Sequence, residues 1–104
     1  MKAILCKEYG PAETLVIEDV PSPEVKGRGV KVRVKAAGLN FPDTLIIENK
    51  YQLKPSLPFS PGGEMAGEVI EVGDKVTRFK VGDRVAGLTG YGAFAEEVIV
   101  PEQN

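Results

Sequence analysis

The sequence predicts a mainly β domain, a partly open barrel or sandwich of six to eight short strands with one short helix. Three observations predict it. Twelve glycines and eight prolines punctuate the 104 residues, which suits strands joined by turns better than a helical bundle. Residues 30–37 alternate strictly, with Val30, Val32, Val34 and Ala36 on one face and Lys31, Arg33 and Lys35 on the other, as in a strand with one side buried and one in water. Val72-Gly73-Asp74-Lys75-Val76 is echoed by Val81-Gly82-Asp83-Arg84-Val85, two Gly-Asp turns of a meander at too short a period for a repeat architecture.

The elements follow in order. The apolar run 1–6 (MKAILC) reads as the first strand, turned at Gly10-Pro11, and 15–20 (LVIEDV) as the second. Residues 21–29, with two prolines and two glycines, read as a surface loop before the strand at 30–37. A short helix over about 42–48 comes next. Pro42 suits its first position, where a missing N–H needs no partner. Asn40 or Phe41 is the N-cap, and Asn is the better capping residue. Asp43 falls in the first turn, where its charge complements the helix dipole. Asn49 suits a left-handed terminator. Residues 50–60 form a loop holding Tyr51 and Phe59. A strand then runs from Ala66 to the Gly73-Asp74 turn, another starts at Arg84, and the last spans 94–100 (FAEEVIV).

The chain is organised around residues 60–73, SPGGEMAGEVIEVG. Pro61, Gly62 and Gly63 permit a tight bend, Glu64 presents a carboxylate there, and small and β-branched residues follow. Such a bend is plain architecture or the wall of a pocket. The basic stripe of Lys31, Arg33 and Lys35 reads as a solvated strand face, because acidic residues elsewhere balance it.

Composition narrows the function classes. One domain is the most that 104 residues build. A formal net charge of −2 leaves no footprint for nucleic acid or an anionic membrane. No apolar run approaches the roughly 20 residues of a membrane helix, and the first residues lack the pattern of a secretory signal. Cys6 is the only cysteine, so no intrachain disulfide forms, which fits a reducing, cytoplasmic setting. It reads as a small apolar strand residue. With no histidine, Ser-His and Cys-His mechanisms and His-rich zinc sites are excluded.

Four motifs stand in order: AAGLNFPD at 36–43, PGGEMAGEVIEVG at 61–73, VGDRVAG at 81–87 and GAFAEEVIVP at 92–101. Together they resemble the N-terminal, GroES-like catalytic domain of the medium-chain dehydrogenase/reductase superfamily, and within it the zinc-free quinone oxidoreductase branch. The resemblance covers essentially the whole chain and implies a GroES-like partly open barrel with one or two short helices. Zinc-dependent alcohol dehydrogenases of this superfamily carry a cysteine where this chain has Asn40 and a histidine where it has Gly63. The superfamily's four-cysteine zinc lobe would fall between Val85 and Phe94, where a short glycine-rich loop stands. Glu64, Asp43 and Cys6 are an improvised ligand set at unsuitable spacing. The implied chemistry is a metal-free hydride transfer from NADPH to a quinone or another α,β-unsaturated carbonyl.

Site residues follow from the same resemblance. Asn40 is the first candidate, because its amide both donates and accepts and can orient a nicotinamide or polarise a substrate carbonyl. Its other reading is a helix cap, and the two are compatible. Tyr51 matches a position near the cofactor and can bond nicotinamide or substrate, or pack on its loop. Phe41 joins them on the nicotinamide side. Asp43 reads as a helix-start carboxylate or a partner that orients Asn40, and Glu64 as structural. Members of the family continue into a Rossmann domain that grips the pyrophosphate, and no G-x-G-x-x-G opens a helix here. A fragment or domain is therefore expected, inactive alone, with apolar surface left bare and a tendency to homo-oligomerise. A free-standing GroES-like scaffold or interaction module is the alternative from another class, and an enoyl-thioester reductase the alternative among enzymes.

Overall fold

A computed structural model describes residues 1–104. β1 (Lys2–Leu5) and β2 (Val16–Asp19) pair antiparallel, with Lys2 opposite Asp19 and Leu5 opposite Val16. β3 (Gly29–Ala37), β4 (Glu64–Val72), β5 (Arg84–Leu88) and β6 (Glu97–Pro101) form an antiparallel sheet in the order β5-β4-β3-β6. β5 and β6 are edges that never meet, so the barrel is open. One 3₁₀ turn (Ala12–Thr14) and one α-helix, α1 (Phe41–Ile46), complete the elements. The small sheet is tied to the large one where Ile4 N–H donates to Phe94 C=O at 2.8 Å and Glu96 N–H to Lys2 C=O at 3.0 Å.

Two apolar cores divide the work. The larger lies inside the four-stranded sheet and holds Val30, Val32, Met65, Val69, Val98 and Val100, with Phe79 and Val85 packed against it. The smaller gathers Cys6, Ile46, Ile47 and Phe59, flanked by Leu15 and Tyr51. That second core seats α1. A six-residue helix is marginal in isolation, and burying Ile46 and Ile47 against Cys6 and Phe59 removes apolar area from water at about 25 cal/mol per Å². Cys6 and Phe59 also form a bridge, with N–H to C=O distances of 2.7 and 3.2 Å.

Several sequence expectations need correction. Lys31 is not on a solvated face: it is 9% exposed, and its Nζ lies 3.1 Å from Glu71 Oε1 and 3.1 Å from Ser22 Oγ. Glu71 stands opposite it in register, and Ser22 comes from the preceding loop. Ala36 is exposed, because the β3–β4 register shifts between Val34 and Ala36 and a bulge re-aims the residues beyond it. The last strand begins at Glu97, since the Gly92, Ala93 and Phe94 N–H groups bond the carbonyls of Ser60, Gly62 and Pro61. β4 opens at Glu64, so that residue belongs to the strand. The two Gly-Asp turns lie in one connection between neighbouring strands, with no strand between them. The helix expectations hold more closely: Asn40 is the cap, and Asn49 has φ +60°.

Candidate functional site

The bend at 60–63 is clamped from one side by residues 89–94. Gly92 N–H donates to Ser60 C=O at 2.7 Å, Ala93 N–H to Gly62 C=O at 3.1 Å and Phe94 N–H to Pro61 C=O at 3.0 Å. Thr89 adds its hydroxyl to Gly62 C=O at 2.7 Å and its N–H to Gly63 C=O at 2.8 Å. Gly62 has φ +106°, a conformation that L side chains resist. The clamp fixes where Gly63 and Glu64 enter β4.

The start of α1 faces this bend. Asn40 is extended (φ −131°, ψ 162°) and caps the helix. Asp43 Oδ2 accepts from Asn40 N–H at 2.8 Å, while Asp43 N–H donates to Asn40 C=O at 3.0 Å. Asp43 is 6% exposed. The Asn40 side-chain oxygen faces the Asp43 N–H in a capping box, and its amino group has no partner within the chain. The far end closes with Lys50 N–H on Leu45 C=O at 2.9 Å, a helix-terminating bond of the Schellman type.

A cleft of about 390 Å³ opens between the start of α1, the Tyr51–Leu53 loop, the Gly63–Glu64 bend and the Leu88–Gly90 end of β5. It brings together Asn40, Asp43 and Tyr51. Tyr51 packs against the smaller core, and its hydroxyl makes no hydrogen bond within the chain. Phe41 is not brought in: it is 73% exposed and absent from the cleft lining. Sequence reasoning missed Gln52, Leu53, Leu88 and Gly90, which also line the cleft. Gly90 lay within a glycine-rich stretch, but its contact with Leu53 joins segments distant in sequence and leaves no local signal.

Glu64 also lines the cleft, and its carboxylate makes neither an ion pair nor a hydrogen bond. It packs over Gly38, where a Cβ would collide with it. Gly63 leaves space: a Cβ there would find Gly90 O at 3.5 Å and Asp43 Oδ1 at 3.8 Å, ordinary contacts. Cys6 stands apart from the cleft, buried, with Sγ 3.2 Å from Glu8 O. Burial, helped by the Glu8 charge, pushes its thiol pKa up, which disfavours the thiolate a metal or a nucleophilic reaction would use. No three His, Cys, Asp or Glu side chains are grouped to hold a metal, and no helix is long and apolar enough to cross a membrane.

Comparison with known proteins gives a consistent picture. The family model of the alcohol dehydrogenase GroES-like domain matches residues 26–104. The chain is 48% identical to quinone oxidoreductase-like protein 2 homolog of Nematostella vectensis, over 97% of this chain and 28% of that protein. The crystal structure of the quinone oxidoreductase of Pseudomonas syringae pv. Tomato DC3000 superposes with a TM-score of 0.93 at 45% identity, covering 99% of this chain and 32% of that one. Escherichia coli quinone oxidoreductase, solved in complex with NADPH, superposes with a TM-score of 0.91 at 32% identity, covering 98% and 31%. The chain thus spans less than a third of the length of each of these relatives.

Proposed function

The chain belongs to the alcohol dehydrogenase GroES-like domain family, and from that membership we propose that it is the substrate-side domain of an NADPH-dependent, zinc-independent quinone-type oxidoreductase. One observation carries the reading. The Asn40 amino group and the Tyr51 hydroxyl, neither with a partner within the chain, share an open cleft whose far wall includes Leu53 and Leu88. Ligand sites combine apolar walls with a few convergent polar groups in this way.

The residues fit one end of the cofactor. An amide that donates and accepts matches a nicotinamide carboxamide, and the cleft has room for that ring. No Lys or Arg lines it, so the pyrophosphate must be held elsewhere, by the Rossmann domain that this reading requires. Leu39 and Phe41, exposed at 78% and 73% beside Asn40, and Leu88 at 66% offer apolar surface for such a domain or for a second copy. NADPH, when bound, supplies the hydride. Asp43 holds the Asn40 backbone, Asn40 orients the nicotinamide or polarises the substrate carbonyl, and Tyr51 O–H donates to the oxygen that gains negative charge. A zinc-dependent reaction is disfavoured by donor chemistry: Asn40 and Gly63 offer neither thiolate nor imidazole.

The test is a titration of NADPH into the purified chain, followed by fluorescence, with a simple quinone added to watch for oxidation. No saturable binding at micromolar NADPH and no turnover are expected of the 104 residues alone. Joined to a Rossmann domain of the same family, the chain is expected to gain both. Asn40→Ala is then expected to lower kcat/KM roughly ten- to a hundredfold, the loss of one hydrogen bond to the bound ligand. Tight binding and turnover by the isolated chain would overturn the requirement for a second domain. No NADPH binding by either form would leave the scaffold reading in place.

A further inference from the structure

We propose that Gly63 determines the size of quinone the cleft takes: its bare backbone leaves the floor low enough for a fused, flat ring system, and a branched side chain there would restrict the cleft to a single ring. This rests on the cleft being the substrate site and adds the size class of the substrate. The feature belongs to the residue itself, since a glycine has no side chain whatever else surrounds the opening.

Gly63 lies between the two walls. A Cβ at this position would stand 3.5 Å from Gly90 O and 3.8 Å from Asp43 Oδ1. Asp43 belongs to the first turn of α1 and Gly90 to the stretch after β5, so one carbon at position 63 already touches both sides at ordinary contact distance. Carbons beyond it take up room in the cleft of about 390 Å³.

The surroundings leave those carbons nowhere else to go. Pro61 is fully buried, and Gly62 sits so close to Phe94 that a Cβ would meet its backbone nitrogen at 2.8 Å, so the floor cannot sink. Gly63 C=O is held by Thr89 N–H at 2.8 Å. On the helix side, Asp43 is bonded to Asn40 N–H at 2.8 Å, and Ile46 and Ile47 lock α1 onto the smaller core. Gly63 itself lies outside the left-handed region that Gly62 occupies, so its backbone accepts a side chain and the cost falls on the ligand rather than on the fold. Atoms placed this way discriminate by collision, rejecting a larger ligand and sparing a smaller one.

The experiment compares duroquinone, a single ring carrying four methyl groups, with a hydroxymethyl anthraquinone, a neutral system of three fused rings. Neither has a free quinone carbon to alkylate Cys6 or a lysine. Binding to the intact chain is followed by backbone amide shifts in the NMR spectrum, which detect millimolar affinities. In the unaltered chain both are expected to shift the amides of Asn40 and Gly63, the anthraquinone binding at least about threefold more tightly because its outer rings add apolar contact. In Gly63→Val, a residue suited to the entry of a strand, the anthraquinone is expected to weaken at least about tenfold and duroquinone by less than about threefold. Gly63→Ala adds only a carbon in ordinary contact and keeps the test open should valine disturb the fold; it is expected to weaken the anthraquinone alone, about two- to fivefold. Weaker binding of the anthraquinone than of duroquinone in the unaltered chain would overturn the size limit and leave the site standing. So would an equal fall for both quinones in the variants, or an unchanged affinity for the anthraquinone. If neither quinone shifts the amides of Asn40 or Gly63 in the unaltered chain, the site itself falls, and the size limit with it.

Discussion

Two adjacent glycines are expected to respond differently to the same substitution, because a Cβ has room at only one of them. At Gly62, with φ +106°, a Cβ would stand 2.6 Å from Phe94 Cδ1 and 2.8 Å from Phe94 N. The ring could turn, but the backbone nitrogen is held by its bond to Pro61 C=O. A side chain in the left-handed region costs roughly 1–2 kcal/mol, and overpacking adds about 1–3 kcal/mol. Reduced freedom of the unfolded chain returns about 0.4–1 kcal/mol. Gly62→Ala should therefore lose about 1–4.5 kcal/mol, a fall in Tm of roughly 4–8 °C for each kcal/mol in a domain of this size. Gly63→Ala meets nothing closer than 3.5 Å and should lie within about 1 kcal/mol of the parent or slightly above it. Thermal unfolding followed by far-UV circular dichroism measures both. If the two variants fall together, or Gly62→Ala stays within 1 kcal/mol of the parent, the bend is not held as described.

Two further outcomes follow from buried groups. Cys6 has a raised thiol pKa in the fold, from burial first and the Glu8 charge second. Its stabilising contribution is complete below the ordinary thiol pKa and is lost as pH rises through the raised value. Urea unfolding across the alkaline range is expected to show this loss in the parent, and Cys6→Ala should lack it. Glu102, 6% exposed, accepts from Thr77 N–H at 3.2 Å and Arg78 N–H at 3.3 Å through Oε1. Glu102→Ala leaves both donors without that acceptor and should cost about 1–3 kcal/mol, with Glu102→Gln costing less; chemical denaturation of the three proteins gives the comparison.

What was legible in the sequence was what few residues decide among themselves. Asn40, Pro42, Asp43 and Asn49 mark a helix by capping and turn chemistry acting within a turn of the chain, and the helix stands there. The alternation of β3 located the strand but not the fate of Lys31, because Ser22 and a shifted register decide that. Asn40 and Asp43 belonged together by spacing. Their meeting with Tyr51 rested on family resemblance, since no local rule folds the 50–60 loop back onto the helix start. Leu88 and Gly90 carried no site signal. They reach the cleft only because β5 pairs with β4, Glu64 opposite Leu88.

The same segment makes the clamp and the far wall of the cleft. Residues 89–94 hold the bend, and Leu88 and Gly90 line the opening opposite Asn40. Asn40 in turn is placed by a helix too short to stand alone, docked through Ile46 and Ile47 onto Cys6 and Phe59. The two walls therefore rest on different supports, one on backbone hydrogen bonds and one on apolar packing. A pair of supports of different kinds, joined where Phe59 of the core meets the Tyr91 ring of the clamp edge-to-face, fixes the width of the cleft more firmly than either short element could by itself.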